Sequence, residues 1–194
     1  MAHPTWHGVT ACDCIVASGP LVEKRFREAG LLSTNFAGMI SQGSYSTSVA
    51  ASGNTHAGGG ALDIHDWTQY RADADVLFTD CGWLDFYRPY GVLYAKSPAH
   101  HHIELNGCPH LSQAAQNQIR DAKAGLNGLA GKGKDDGPRP LRTWQQAVAE
   151  DNGTIIIPQE DEDMASQKYL YKFAGHPAVF FGDLETCRWV TTAR

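Results

Sequence analysis

The chain has 194 residues, 42% of them hydrophobic and 19% charged, which suits one well-buried core plus a small appendage. A net charge of -5 speaks against a nucleic-acid partner, and the nearest basic cluster, Gly131-Lys132-Gly133-Lys134, runs straight into Asp135-Asp136. No stretch reaches the ~18 apolar residues of a membrane span, and Met1-Ala2-His3-Pro4-Thr5-Trp6-His7 lacks the basic start and apolar run of a secretory signal. The expectation is a protein made in the cytoplasm, with no membrane partner, that needs another agent to carry it outward.

Residues 21–29 carry a helical pattern, with Pro20 near its start and Gly30 as a stop. Residues 36–43 run apolar into Ser41-Gln42-Gly43-Ser44-Tyr45, a short strand ending in a turn. Residues 44–60 are rich in Ser, Gly, Thr and Asn and read as an irregular loop; 61–64 resume as a strand. Residues 68–81 form the next helix, ended by Gly82. Strands follow at 84–88 and 90–95, with Pro89-Tyr90-Gly91 as the turn between them, and a further strand at 101–105. The Ala- and Gln-rich segment 111–124, closed by Gly125, is the clearest helix. Such an order predicts an α+β domain, a small antiparallel sheet flanked by helices.

Residues 131–140 read as a turn-rich connector and 141–150 as one more short helix, closing a first domain over 1–150. Residues 151–166 hold Ile155-Ile156-Ile157-Pro158 and the acidic run Glu160-Asp161-Glu162-Asp163, the composition of a linker. In 167–194 the pattern is strand, turn, strand, at 169–173, 178–181 and 187–190, a small β segment too short to bury a core alone. Cysteines stand at 12, 14, 81, 108 and 187, without a Cys-x-x-Cys. Cys12-Asp13-Cys14 is tighter than the usual zinc pair and no basic neighbour activates it, so reduced structural thiols are expected.

One pattern carries chemistry. His56 and Asp63 are separated by a run of Gly and small residues, and His100-His101-His102 follows about forty residues on. On a strand, His100, His102 and Glu104 share a face while His101 and Ile103 point away. Two imidazoles on one strand can then meet Asp63 from a neighbouring strand, and the glycines let His56 turn toward the same ion. Three N/O ligands on zinc leave a fourth position open for activating water. A His on a sheet face is often only a polar surface residue, and three consecutive histidines can be a loop patch; it is the conjunction that favours a metal. His65-Asp66 reads as a surface turn. Trp67, Trp83, Tyr87 and Tyr90 suit either a groove or the core.

The pattern His56-x-x-Gly59-x-Ala61-x-Asp63 with His100-x-His102 resembles the paired motifs of the D-alanyl-D-alanine carboxypeptidase-like zinc peptidases. That group includes bacterial and phage cell-wall endopeptidases and shares its fold with the signalling domain of hedgehog proteins. The likeness spans about residues 14–129 and is greatest to actinobacteriophage proteins, in Gln42-Gly43-Ser44-Tyr45, in 55–63 and in the helix leading to Gly125-Leu126-Asn127-Gly128-Leu129. It implies a hedgehog-like fold, Zn2+ held by His56, Asp63 and His102, His100 as the acid/base or oxyanion-stabilising group, and Gln42 and Tyr45 at the substrate groove.

Three positions depart from the family. Ala99 stands where many relatives have a Glu three residues before the last His, and Glu104 is the candidate to replace it. Asn54 stands where a Ser is common. The turn 41–45 has no substrate-gripping Arg, which favours endopeptidase over carboxypeptidase action. The function implied is a zinc-dependent peptidase of bacterial peptidoglycan, an endolysin or virion-associated lysin acting at the cell wall. The alternative is a phage tail-tip protein that keeps the fold for binding, with other tail proteins as partners.

Overall fold

The computed structural model describes residues 2–67, 71–135 and 142–153, together with the backbone of 169–172, 179–182 and 188–190. The chain divides into two compact units, Met1–Asn152 and Gly153–Arg194. Four α-helices and small antiparallel sheets are found among the described residues, an α+β architecture.

The first unit opens with a two-stranded ribbon, β1 (Thr5–Trp6) and β2 (Val9–Thr10), and enters helix α1 (Asp13–Glu28) with Cys12 at its N-cap. The pattern over 21–29 predicts only the second half of this helix. Pro20 lies inside it rather than at its start, at the cost of one backbone hydrogen bond. Burial outweighs that cost: Ile15, Val22 and Phe26 are fully buried at helical spacing and commit the whole segment to one apolar face.

A four-stranded antiparallel sheet follows in the order β3 (Ile40–Gln42), β4 (Ala61–His65), β6 (His100–Leu105), β5 (Trp83–Arg88). Helix α2 (Arg71–Asp80) precedes β5, and 68–70, the expected start of that helix, lie outside the described residues. The strand expected at 90–95 does not form. Tyr90, Val92 and Tyr94 alternate as strand residues do, yet all three are exposed and the segment folds into turns, with Gly91 N–H donating to the Ser97 carbonyl. β5 pairs instead with β6 along its full length. Helix α3 (Gln113–Lys123) is capped by Ser112, whose hydroxyl oxygen accepts from Ala115 N–H. Helix α4 (Trp144–Asp151) starts in a capping box of Thr143 and Gln146 and is held to α1 by Lys24 and Arg25, both paired with Asp151.

One face of the sheet packs on α1 and α2 through an aromatic core. Phe26, Phe36, Phe78 and Trp83 are fully buried, with ring centroids of Phe26 and Phe78 4.6 Å apart and Trp83 stacked on Phe78 at 6.2 Å. The Trp83 indole N–H donates to Ser18 Oγ, so its one polar atom is satisfied inside the core. Trp67 packs against Phe26 and Phe36. Trp67 and Trp83 therefore serve the core rather than a groove.

In the second unit β7 (Tyr169–Lys172), β8 (Val179–Gly182) and β9 (Arg188–Val190) form an antiparallel sheet in sequence order. Residues 173, 178 and 187 of the expected strands lie outside the described residues, as do 136–140 of the connector, residue 141 of the helix expected at 141–150 and 154–166 of the linker. No helix among the described residues is long and apolar enough to cross a membrane.

Phe78 meets Phe26, Phe36 and Trp83, so Phe78→Ala empties the centre of this cluster. It should lower unfolding free energy by about 3–5 kcal/mol in urea titration, with an unchanged far-UV spectrum of the native baseline.

Candidate metal centre

The chain path explains how His56 reaches Asp63. His56 sits in a 3-10 turn, Thr55–Ala57, where Ser46 N–H donates to the His56 carbonyl and the Ser112 hydroxyl donates to the Thr55 carbonyl. The backbone then reverses through Gly58-Gly59-Gly60 into β4. Gly60 has a φ of +75°, which a side chain resists, and a Cβ on Gly58 would lie 2.4 Å from the His110 carbonyl oxygen. Cross-strand register does the rest. Asp63 lies directly opposite His102, and the two-residue alternation puts Arg88, His100 and Glu104 on the same face.

Three atoms converge on this face. His56 Nε2 is 3.2 Å from Asp63 Oδ1 and 3.3 Å from His102 Nδ1, and His102 Nδ1 is 2.7 Å from Asp63 Oδ1. The outer ring nitrogens decide the tautomers. His56 Nδ1–H donates to the Gly43 carbonyl (3.0 Å), a group that can only accept. His102 Nε2–H donates to Gln118 Oε1 (3.1 Å) and Glu104 Oε1 (3.3 Å); the Gln118 amide N–H donates to the Gly128 carbonyl, which turns its oxygen to the histidine. Two imidazole lone pairs and a carboxylate thus point at one another. A proton or a metal cation has to sit among them.

The donor set fits a metal. A tetrahedral ion with bonds of ~2.1 Å holds its ligand atoms ~3.4 Å apart, near two of the three separations here. The outer partners are the acceptors that orient metal-bound histidines. In the metal-free chain a proton takes the ion's place. Burial pushes His102 down, but the Asp63 and Glu104 carboxylates overcome this and raise it to about 9. Burial likewise favours a protonated Asp63, yet the neighbouring His102 and His56 hold its carboxyl far below the usual range.

The cluster lies at the floor of an open cleft of about 190 Å³. His56 is fully buried beneath it, while Gln42, Asp63, His100 and His102 line it. His100 Nδ1–H donates to the Pro98 carbonyl (2.9 Å), leaving Nε2 as an acceptor 3.9 Å from Asp63 Oδ1. Burial lowers its pKa, so His100 is neutral at pH 7. Gln42 Nε2 is buried without a hydrogen-bond partner. Tyr45 is not among the lining residues. It stacks on His3 at 3.5 Å and its hydroxyl lies beside Gly59, on the side of Cys12. His101 points to the opposite face, fully buried, 2.6 Å from Asp85 and packed on Trp67 and Phe78. His65 is exposed.

Two cleft residues escape sequence reasoning. Arg88, only 4% exposed, enters from β5; Nη1–H donates to the Asn127 carbonyl and Nη2 has no partner. Gln118 comes from α3. Period-two counting from β6 could have found Arg88 only with the β5–β6 register known, and no spacing signals Gln118. The segment 90–95 contributes Leu93 and Tyr94 to the cleft wall.

The cysteines hold a second surprise. Cys12, Cys14 and Cys108 are buried and free, with sulfurs all within 4.8 Å of one another, a grouping that can also hold a metal ion. The Cys108 thiol, then N–H groups of Ile15, Cys14 and Gly60, draw Cys12 below the ordinary thiol range against the effect of burial. Cys81 by contrast is isolated, and burial pushes it up to about 12. No protein-family model matches this chain, and no curated protein or solved structure does so either.

The raised His102 value sets a pH signature. In metal-free protein the His102–Asp63 pair stabilises fully below His102's unfolded value of ~6.5, provided Asp63 stays ionised, and is lost as pH rises through about 9. Thermal melts from pH 6 to 10 should show this loss without metal and a smaller one with zinc. Zinc uptake at pH 7 should release a proton, seen as buffer-dependent heat in titration calorimetry.

Proposed function

We propose that this chain is a zinc-dependent peptidase of bacterial peptidoglycan, of phage type, built on the fold of the D-alanyl-D-alanine carboxypeptidase-like and hedgehog group. The observation that carries the reading is the convergence of His56, Asp63 and His102 beneath an open cleft, with His100 beside them. Zinc held there supplies Lewis-acid chemistry, polarising a carbonyl and lowering the pKa of water to ~7.

The chain's own groups have separable tasks. His56, Asp63 and His102 hold the ion, with Gly43, Glu104 and Gln118 keeping both imidazoles in the ligating tautomer. Glu104, the candidate to replace the Glu absent at Ala99, is fully buried behind His102, so it orients that ligand and does not reach substrate. His100, neutral with Nε2 open to the cleft, accepts the proton of the attacking water and returns it to the leaving amine. The unpartnered Gln42 Nε2 donates to a substrate carbonyl.

Arg88 enters the specificity argument. The turn 41–45 lacks an Arg, but Arg88 brings a buried guanidinium to the same cleft from β5. Its free Nη2 suits a carboxylate of the stem peptide. The target bond is then an internal stem or cross-bridge amide close to an acidic group. A second reading, a virion tail-tip protein that binds without turnover, draws on the separate unit Gly153–Arg194 with its own sheet.

Zymography on purified cell walls separates the two. Clearing that a chelator abolishes and zinc restores is expected; no clearing under any metal condition, with assembly into virions, favours the binding protein. His100→Gln should keep its zinc and lose roughly 10²–10⁴ in turnover. Arg88→Gln should raise KM more than it lowers kcat on soluble stem peptides. Clearing by His102→Ala would remove the site assignment.

A further inference from the structure

We propose that Cys12, Cys14 and Cys108 form a second, structural metal site for a thiophilic cation such as zinc. The spacing of the sulfurs suits a metal ion. Cys12 Sγ and Cys108 Sγ lie 3.7 Å apart, and a tetrahedral zinc with Zn–S bonds of ~2.3 Å holds its sulfurs ~3.8 Å apart. A disulfide would need ~2.05 Å. All three thiols are buried, at 1%, 6% and 5% exposure, and two come from one segment and the third from 94–96 residues away. Chance hydrophobic packing of thiols places no such demand on their sulfurs.

Cys12 is the N-cap residue of α1, where the first turn's N–H groups and the helix dipole favour negative charge.

The consequence is mechanical. Cys12 belongs to the start of α1 and Cys108 to the turn after β6; Gly59 presses against Cys12 and Gly60 against Cys108. These are the glycines that carry the chain from His56 to Asp63. A metal on the cysteines would clamp the loop that presents two groups of the catalytic cluster, without touching substrate.

Metal counting with the full chain tests this. Reduced wild-type protein loaded with zinc should hold about two equivalents. With Co(II) it should show the near-ultraviolet sulfur-to-metal charge-transfer band. Cys108→Ser should lose one equivalent and that band, whereas His56→Ala should lose one equivalent and keep the band. Should Cys108→Ser not fold, the native protein still decides: the three thiols should resist a disulfide reagent when zinc-loaded and react after chelation. A single equivalent without the cobalt band overturns the proposal. So does a Cys12–Cys108 disulfide in the native protein, seen by mass as the loss of two hydrogens.

Discussion

Three electron-rich atoms held close enough to share one cation are the constraint on which this fold's cleft depends. His56 Nε2, Asp63 Oδ1 and His102 Nδ1 cannot share one small volume unless positive charge lies between them. Repulsion would otherwise push the loop and the strands apart. The outer nitrogen of each histidine is occupied by an acceptor oxygen, the Gly43 carbonyl for His56 and Gln118 Oε1 for His102, the latter turned there by the Gln118 amide bond to the Gly128 carbonyl. A proton meets the demand in part and a metal ion meets it better, since one ion satisfies all three donors together.

The two faces of β6 show how the same strand serves stability and chemistry. Toward α1 and α2, Ile103 and the aromatic cluster exclude water, and His101 is accommodated there by its 2.6 Å contact with Asp85. Toward the cleft, His100, His102 and Glu104 are buried but polar, and each is held by a specific partner. The apolar face makes the polar one rigid. The glycine-bent loop adds His56, the one candidate ligand the sheet cannot provide, and its close approach to the turn at His110 ties it to the segment that carries Cys108.

Much of this was legible in the residues because it obeys local rules. The two-residue period of a strand puts His100 with His102 and against His101, and the Gly run between His56 and Asp63 signals a sharp reversal. What was not legible depends on register and tertiary packing. Arg88 enters the cleft through the β5–β6 pairing, and Gln118 through the seating of α3. Residues 90–95 alternate like a strand but find no sheet edge, and Pro20 is absorbed inside α1 by the burial around it. Cys12-Asp13-Cys14 reads as too tight for a metal pair because the third thiol, Cys108, is remote in sequence and adjacent only in the fold. Tyr45 borders the right loop but faces the cysteines, since its stacking on His3 and the bond from its N–H to the Gly58 carbonyl set its direction.

The central claim is that one metal ion sits among His56, Asp63 and His102. Anomalous diffraction at the zinc edge, from crystals of the full chain grown with zinc, tests it most directly. A peak within bonding distance of His56 Nε2, Asp63 Oδ1 and His102 Nδ1 is predicted. Its absence, with those three side chains still converged and Asp63 bonded to a protonated His102, would contradict the account.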